Sequence, residues 1–472
     1  ASQQGRAGLR LQHALPSARV VYVSATGATT VHNLAYAQRL GLWGGEDFPF
    51  ATRAEFVEAI EAGGVAAMEV LARDLRSLGL YTARSLSYDG VEYEMLEHAL
   101  TPEQRGIYDA YAGAFAIIHN NLTAAMEAAN ITGDSGTLNR QAKSAARSAF
   151  ESAKQRFFGH LLTSMKTPTL IAAIDGDLAA GHAAVIQIVS TGEALMERRL
   201  SDIPTDEWNN IRVDITPREY VLDYLAHSFP VQLYEPFTDS EGNLSSRPVV
   251  RDGQPVECRE AARRRDALIE RLASLPPVPG ALDQIVQRFG TDLVAEVTGR
   301  SRRIVRKGEG HAARLVVESR AGSANLAETA AFMDDQKRIL IFSDAGGTGR
   351  SYHADLGAKN QRLRVHYLLE PGWKADAAIQ GLGRTNRTNQ AQPPLFRPVA
   401  TDVKAEKRFL STIARRLDTL GAITRGQRQT GGQGLFRPED NLESPYARDA
   451  LRQLYRRIYR GDVAGCSLGA FE

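Results

Sequence analysis

Four short apolar runs, each handed directly to a loop of small or turn-forming residues, constrain this chain more than any other feature. They lie at residues 19–23 (RVVYV), 183–190 (AAVIQIVS), 338–342 (RILIF) and 365–370 (VHYLLE). Runs this short, rich in β-branched and aromatic residues, read as strands rather than helices. Their continuous apolarity implies burial on both faces, as in a parallel sheet covered by helices. The loops that follow are SATG at 24–27, TGE at 191–193, SDAGGTGRS at 343–351 and PG at 371–372. In sheets of this kind ligands sit beyond the carboxyl ends of the strands. The expected fold class is therefore α/β with a parallel sheet.

Between the strands the pattern is mostly helical. Val65, Met68, Leu71, Leu75 and Leu78 form one apolar helical face. Residues 88–91 (YDGV) suggest a hairpin turn between two short strands. Thr101, Pro102 and Gln104 carry the signature of a capped helix start, with helices expected to about Ala129 and again over 141–166. Thr216 and Pro217 suggest a further capped helix, 236–255 a loop, and 258–274 an arginine-rich helix. Residues 281–307 give a helix-turn-helix outline: helices at 282–289, 293–297 and 300–305, the last carrying Arg302, Arg303 and Arg306. Such a basic helix can enter a groove or track phosphates; a helical packing module with a solvated basic end is the plainer alternative. Five segments are expected: 1–45, 46–182 (mainly helical), 183–314, 315–425 and 426–472.

Near the end of the fourth segment, 378–390 reads AIQGLGRTNRTNQ, which sets Gln380, Gly383, Arg384 and Arg387 at the spacing Q-x-x-G-R-x-x-R. Two arginines three apart share one face of a helix, and paired guanidinium forks suit a polyanion such as a triphosphate. A basic surface helix with ordinary salt bridges is the alternative for these residues alone. In SDAGGTGRS, Gly347 and Gly349 can expose backbone N–H groups to a phosphate or ribose. A dinucleotide fingerprint fails, because Tyr352 stands where its third glycine belongs. Arginine-based arguments need care here, since 48 of the 57 basic residues are arginine and the net charge is only +2. Two cysteines exclude a disulfide framework and CxxC-based zinc sites. No apolar run is long enough to span a bilayer, and there is no signal-peptide pattern; a cytoplasmic setting is the expectation.

In order, VVYVSATGAT, VIQIVSTGEAL, VAEVTGRSRRIVR, SDAGGTGRSYHAD and RVHYLLEPGWKADAAIQGLGRTNRTNQ resemble the later half of a superfamily 2 helicase motor, and most narrowly the Strawberry notch family. The resemblance extends to about Gly426. It implies a RecA-like second helicase lobe with large helical insertions, acting with ATP and Mg2+ on nucleic acid, DNA above RNA. Ser24, Ala25 and Thr26 would couple ATP state to lobe movement. Thr191 and Ser343, with Arg302, Arg303 and Arg306, would lie on the nucleic-acid track, and Gly347, Gly349, Ser351 and Gly383 at the nucleotide. Ser351 departs from the wider superfamily, where Asp or Asn often follows the glycine. Gln380, Arg384 and Arg387 would reach the triphosphate.

A motor also needs G-x-x-x-x-G-K-[ST] and an acidic box after a strand, and neither occurs in this sequence. The first lobe is therefore expected upstream as part of the same protein, with the magnesium ligands on it, and this chain alone should hydrolyse ATP poorly. A bacterial, phage or plasmid origin is expected. The alternative function is a non-catalytic nucleic-acid-binding, scaffold or co-regulator protein that keeps the fold.

Overall fold

A computed structural model describes residues 3–23, 31–82, 90–133, 136–211, 216–240, 242–308, 310–347, 349–372, 375–419 and 445–464. They fall into two units, Ala1–Ser87 and Tyr88–Glu472. Ser24, Ala25 and Thr26, and Tyr88 and Asp89 of the expected 88–91 turn, lie outside the described residues.

In the first unit, α1 (Gln3–Ala14), α2 (Val31–Leu34) and α3 (Arg53–Ser77) are the α-helices among the described residues. Thr52 caps α3, its hydroxyl accepting the Glu55 N–H at 3.3 Å. Phe56, Ile60 and Leu75 of α3 pack with Val31, Leu42 and Trp43 into a small core. The expected strand at 19–23 is not formed. Val21 and Val23 are 83% and 91% exposed, and no described residue pairs with this segment. A strand needs a neighbour for its backbone groups, and apolar sequence alone does not supply one.

The second unit holds the parallel sheet. Its strands are β1 (Glu92–Tyr93), β2 (Leu96–His98), β5 (Ala183–Ile188), β10 (Val294–Val297), β13 (Ile339–Ser343), β14 (Arg364–Leu368) and β15 (Leu395–Thr401). The other eight strands form four separate antiparallel hairpins: β3 (Thr132–Gly133) with β4 (Gly136–Thr137), β6 (Tyr234–Thr238) with β7 (Leu244–Pro248), β8 (Val250–Arg251) with β9 (Gln254–Pro255), and β11 (Arg302–Lys307) with β12 (Arg314–Ser319). The sheet order is β1-β15-β14-β5-β13-β10, with β2 also beside β15, and every pairing within it is parallel. The parallel α/β expectation is thus met. Two details differ: β1, at the place of the short strand expected after the 88–91 turn, and β2 both pair with β15, and 236–255 is two hairpins rather than a loop.

Alternation along the strands builds two layers of core. Ala184, Ile186 and Ile188 of β5, with Ile339, Ile341, Val365 and Tyr367, pack against Leu170 and Ile174 of α5 (Arg140–Ala179) and Leu282, Ile285 and Val286 of α9 (Ala281–Phe289). On the opposite face, Leu368 and Phe396 meet Ala378, Ile379 and Leu382 of α12 (Ala375–Leu382) and Leu410 and Ile413 of α13 (Lys404–Thr419). Each fully buried Ile, Leu or Phe is worth about 1.5–3 kcal/mol of transfer free energy, so the fully buried β5 is a strong organising element.

Helix α5 spans 40 residues and does two jobs. Its first half carries Phe150, Phe157 and Leu161 into a helical core with α4 (Pro102–Ala128), α7 (Arg218–His227) and α8 (Arg259–Ala273). Its second half lies under the sheet. The sequence argues for a stop near 166 because Pro168 follows, yet the helix continues. Pro168 has no N–H for the Ser164 carbonyl four residues back. That buried carbonyl instead accepts the side-chain Nε2–H of Gln284 on α9, at 3.2 Å. The capping box at Thr101 and Gln104 forms as expected, and Gln104 Nε2 also donates to the Met165 carbonyl at 3.0 Å. Thr216, by contrast, does not cap α7, and its buried hydroxyl has no partner among the described residues. Replacing Gln284 by Met should strand the Ser164 carbonyl and cost about 1–3 kcal/mol, measurable as a lowered midpoint in urea denaturation.

Candidate functional site

The loops at the carboxyl ends of β5, β13 and β14 form the candidate site. After β13, a single helical turn, α11 (Asp344–Gly347), leads to Gly349 at φ +75°. Gly346 has a steric reason to be glycine, because a Cβ there would lie 2.5 Å from the Val297 carbonyl oxygen and the Thr298 Cα. The turn is therefore pressed onto the end of β10. After β14, Glu370 folds back so that its carboxylate accepts the N–H groups of Val189 and Ser190 at 2.9 and 3.0 Å.

Arg384 and Arg387 do not share a helical face, because α12 ends at Leu382 and both lie in the turn and loop beyond it. Gly383 closes the helix, its N–H donating to the Ile379 carbonyl at 3.0 Å, while Gln380 is exposed on the last turn. The close approach falls on Gly381, where a Cβ would sit 2.0 Å from Gln187 Nε2. Arg384 Nη1 donates to the Arg350 carbonyl at 2.8 Å, and the Arg384 carbonyl accepts the Tyr352 N–H at 2.7 Å. The SDAGGTGRS and QGLGRTNR segments are thus bonded to each other directly. Asp344 sits in the same neighbourhood; burial pushes its carboxyl up, against the opposing pull of Arg384.

A buried hydrogen-bond chain under the arginine loop was not anticipated. Gln187 of β5 donates through Nε2 to the Ala378 carbonyl at 3.2 Å, so its Oε1 is the acceptor for His366 Nε2–H at 3.1 Å. His366 Nδ1 then accepts the Thr385 hydroxyl at 2.7 Å. Burial lowers the His366 imidazole to about 3, so it is neutral at physiological pH. Its signal was visible as a Gln inside AAVIQI and a His inside VHYLLE, polar residues in strands with no solvent-facing side.

Around the ends of β13 and these loops, four buried polar atoms have no hydrogen-bond partner among the described residues: Ser343 Oγ, Tyr352 Oη, His353 Nδ1 and Arg387 Nε. Buried polar groups are nearly always satisfied, so a local concentration of orphans marks a place where a ligand or a rearrangement supplies the partners. Ser351 follows Gly349 and Arg350 and is half-buried.

Thr191, in the loop after β5, lines a groove of about 390 Å³ with Arg156 of α5, Arg198 of α6 (Glu193–Ser201) and Tyr220 and Asp223 of α7. The helix-turn-helix expectation is overturned. Residues 294–297 are the edge strand β10 and 302–307 are β11, so the outline keeps only its first helix. Arg303 is 7% exposed and pairs with Glu318 at 2.7 Å and Glu296 at 3.4 Å. Arg302 pairs with Glu197 and lies over the Trp208 ring. Arg306 remains exposed on β11. Glu296 explains the arrangement. Burial alone would raise its carboxyl, but Arg300, hydrogen-bonded at 2.6 and 3.0 Å, and Arg320 outweigh it and hold it at about 2. Arg300, Arg303 and Arg320 neutralise a buried carboxylate, and two of the three arginines expected on a nucleic-acid track, Arg302 and Arg303, are paired with carboxylates of the fold.

Among the described residues, no helix is long and apolar enough to cross a membrane. Residues 280–472 match a helicase C-terminal family model described as the C-terminal domain on Strawberry notch homologue. Residues 1–110 match one described as P-loop containing NTP hydrolase pore-1. Similar curated proteins include Protein strawberry notch homolog 2 of Mus musculus, 32% identical over 97% of this chain and 38% of its own length. Protein strawberry notch homolog 1 of Rattus norvegicus is 31% identical over 98% of this chain and 41% of its own length. Protein FORGETTER 1 of Arabidopsis thaliana is 29% identical over 98% of the chain and 44% of its own length. The chain thus spans about two-fifths of the length of these relatives. They come from animals and a plant, and give no support to the expected bacterial, phage or plasmid origin.

Two outcomes test this geometry. Gly381→Ala should force Gln187 aside and lower stability by about 1–3 kcal/mol, read from a urea melt. The neutral His366 makes the fold acid-sensitive. Its proton affinity in the fold lies below the unfolded value of 6.5, so the unfolded chain binds the proton more readily as pH falls. Stability should drop by about 1.4 kcal/mol per pH unit from this group between pH 6.5 and about 3. His366→Gln should flatten that part of a pH series of denaturation midpoints.

Proposed function

Because this chain belongs to the Strawberry notch family, and so is a helicase-family protein, we propose that it forms the C-terminal part of an ATP-dependent superfamily 2 DNA helicase or translocase. In this reading it supplies the arginine side of the ATP site and part of the nucleic-acid track. The observation that carries it is the bonding of Arg384 to Arg350 and Tyr352 of the segment after β13, beside buried polar atoms that lack partners among the described residues. The two guanidinium groups suit the oxygens of a triphosphate. A match over residues 1–110 to a model described for P-loop NTP hydrolases supports the same chemistry.

Phosphoryl transfer needs positive charge held where the transferring group develops negative charge. Arg384 is anchored for this by its bond to the Arg350 carbonyl, and Arg387 by its N–H to Gln390 Oε1 at 3.0 Å. Gly347, Gly349 and Ser351 line the nucleotide side of the same loop, Gly383 lets α12 end there, and the exposed Gln380 meets the nucleotide from the last turn. Ser343 and Thr191, at the ends of β13 and β5, face the nucleic acid, with Arg306 as an outlying phosphate contact. Magnesium would neutralise the phosphates, with its ligands supplied by a first lobe in the complete protein.

In the complete protein, Arg384→Ala and Arg387→Ala should each lower nucleic-acid-stimulated ATP hydrolysis by roughly 100- to 1000-fold, with unchanged circular dichroism. The chain alone should be nearly inactive, since it carries neither a P-loop motif nor an acidic box. Robust ATPase activity of the isolated chain, or full activity of both variants, overturns the reading. A complete protein that binds nucleic acid without any turnover points instead to a non-catalytic scaffold.

A further inference from the structure

The β11–β12 hairpin is an arm rooted just past the carboxyl end of β10, its base closed by the Arg320 N–H donating to the Ser301 carbonyl at 2.7 Å. Ile304, Leu315 and Val317 pack with Met196 and Leu200 on one face of the arm, and Val305 joins the core under the sheet on the other. The strands then run on past both cores, and Arg306, Lys307 and Arg314 at the far end are exposed. Register sets Lys307 directly opposite Arg314, so both cations project from the same face of the ribbon. Like charges placed directly opposite each other destabilise a ribbon. Lys307 reaches Glu318 only at 3.8 Å, and that carboxylate is already held by Arg303 at 2.7 Å. Arg306 and Arg314 have no ion-pair partner among the described residues. In sequence, 306–314 carries three arginine or lysine cations against one carboxylate, Glu309. The turn that closes the arm is tight: Gly308 has φ +88°, and a Cβ on it would lie 2.6 Å from the Ala312 carbonyl oxygen.

We propose that this hairpin tip is a nucleic-acid contact, Lys307 and Arg314 together holding backbone phosphates with Arg306 beside them. The inference rests on the reading that the complete protein acts on DNA. A phosphate set against the two cations turns their mutual repulsion into joint attraction, so a pairing that costs stability in the free protein is offset in the complex. The guanidinium fork can take two phosphate oxygens, and the ammonium adds a compact point charge. An acidic protein surface is the other polyanion to consider, but protein partners are usually gripped by aromatic or large side chains. Between the cations the tip offers only Gly308, Glu309, Gly310, His311, Ala312 and Ala313. Six-residue strands set the tip roughly 17 Å from its root, so a DNA strand bound at the candidate site gains a second point of attachment. Phosphate contacts of this kind position the strand and carry no sequence information.

Fluorescence anisotropy of labelled DNA, single-stranded and duplex, titrated with the complete protein at several salt concentrations, tests the assignment. Lys307→Gln combined with Arg314→Gln should make the slope of log K against log salt shallower by about 1.5–2, and weaken binding roughly 25- to 60-fold at about 0.1 M salt. Its melting temperature should equal or exceed that of the wild type, because the cross-strand repulsion is gone. Arg314→Glu, which sets opposite charges across the same rung, should melt higher still and bind DNA more weakly than the wild type. Arg251→Gln with Arg259→Gln, which removes two exposed arginines elsewhere in the same unit, should keep the wild-type slope. Unchanged affinity and slope in the Lys307 and Arg314 double variant, an equal loss in the control pair, or earlier melting of either tip variant overturns the role of the hairpin and leaves the action on DNA intact. Binding to polyglutamate that needs the two cations, with DNA binding unchanged, overturns it in favour of an acidic protein partner. A wild-type protein that does not bind DNA at all removes both.

Discussion

The arginine loop keeps its place through one buried chain of hydrogen bonds, Gln187 to His366 to Thr385, laid across the helix-covered face of the sheet. All three residues are at most 2% exposed, so none can fall back on water. Leaving one such group unpaired costs about 1–3 kcal/mol, and shifting Thr385 would break the chain at its end. Gly381 adds a steric lock, since the α12 backbone touches the Gln187 amide where any side chain would collide. The site is therefore referenced to β5 and β14, two strands buried along their whole length, although its arginines stand on irregular backbone. Rigid strands beneath a loop can hold reacting groups to the tolerance that catalysis needs.

The same device, a buried polar group answered from a distant element, recurs wherever local sequence rules would fail. Pro168 should end α5, and Gln284 of α9 supplies the hydrogen bond that lets the helix continue from the helical core to the sheet. Glu296 should be intolerable on the fully buried β10, and Arg300, Arg303 and Arg320 gather around it. That second cluster alters the functional picture. In an arginine-rich chain, TGRSRR reads as a phosphate-binding surface, but most of its charge balances a carboxylate inside the fold. Clustering in sequence therefore does not mark a ligand surface here: of Arg302, Arg303 and Arg306, only Arg306 is exposed.

Much of the fold was legible because it depends on local chemistry. The runs at 183–190, 338–342 and 365–370 became central strands, since a continuous β-branched stretch has few other ways to bury itself. The capping box at Thr101 and the stop at Gly290 followed from single residues. The strand expected at 19–23 failed because its pairing depends on neighbours that no local pattern reports. Residues 293–305 failed for a related reason: short alternating and helical apolar patterns overlap, and only the presence of β13 and β12 as partners resolves 294–297 and 302–307 as strands. The site divided along the same line. Its loops and arginines were readable as motifs, but the mutual bonding of Arg384, Arg350 and Tyr352 spans more than thirty residues of chain and has no local signature.

The sequence by itself determined a parallel α/β sheet, the loops at its carboxyl ends, and a Q-x-x-G-R-x-x-R segment whose chemistry suits a polyanion. Strand composition and motif spacing carry that information, because each reflects forces acting within a few residues. Only the tertiary structure decided which arginines balance a buried carboxylate, where α12 stops, and that the segment after β13 is bonded directly to the segment after α12. Those outcomes depend on which distant groups meet once water is excluded, and burial makes each such meeting either strongly favourable or strongly costly.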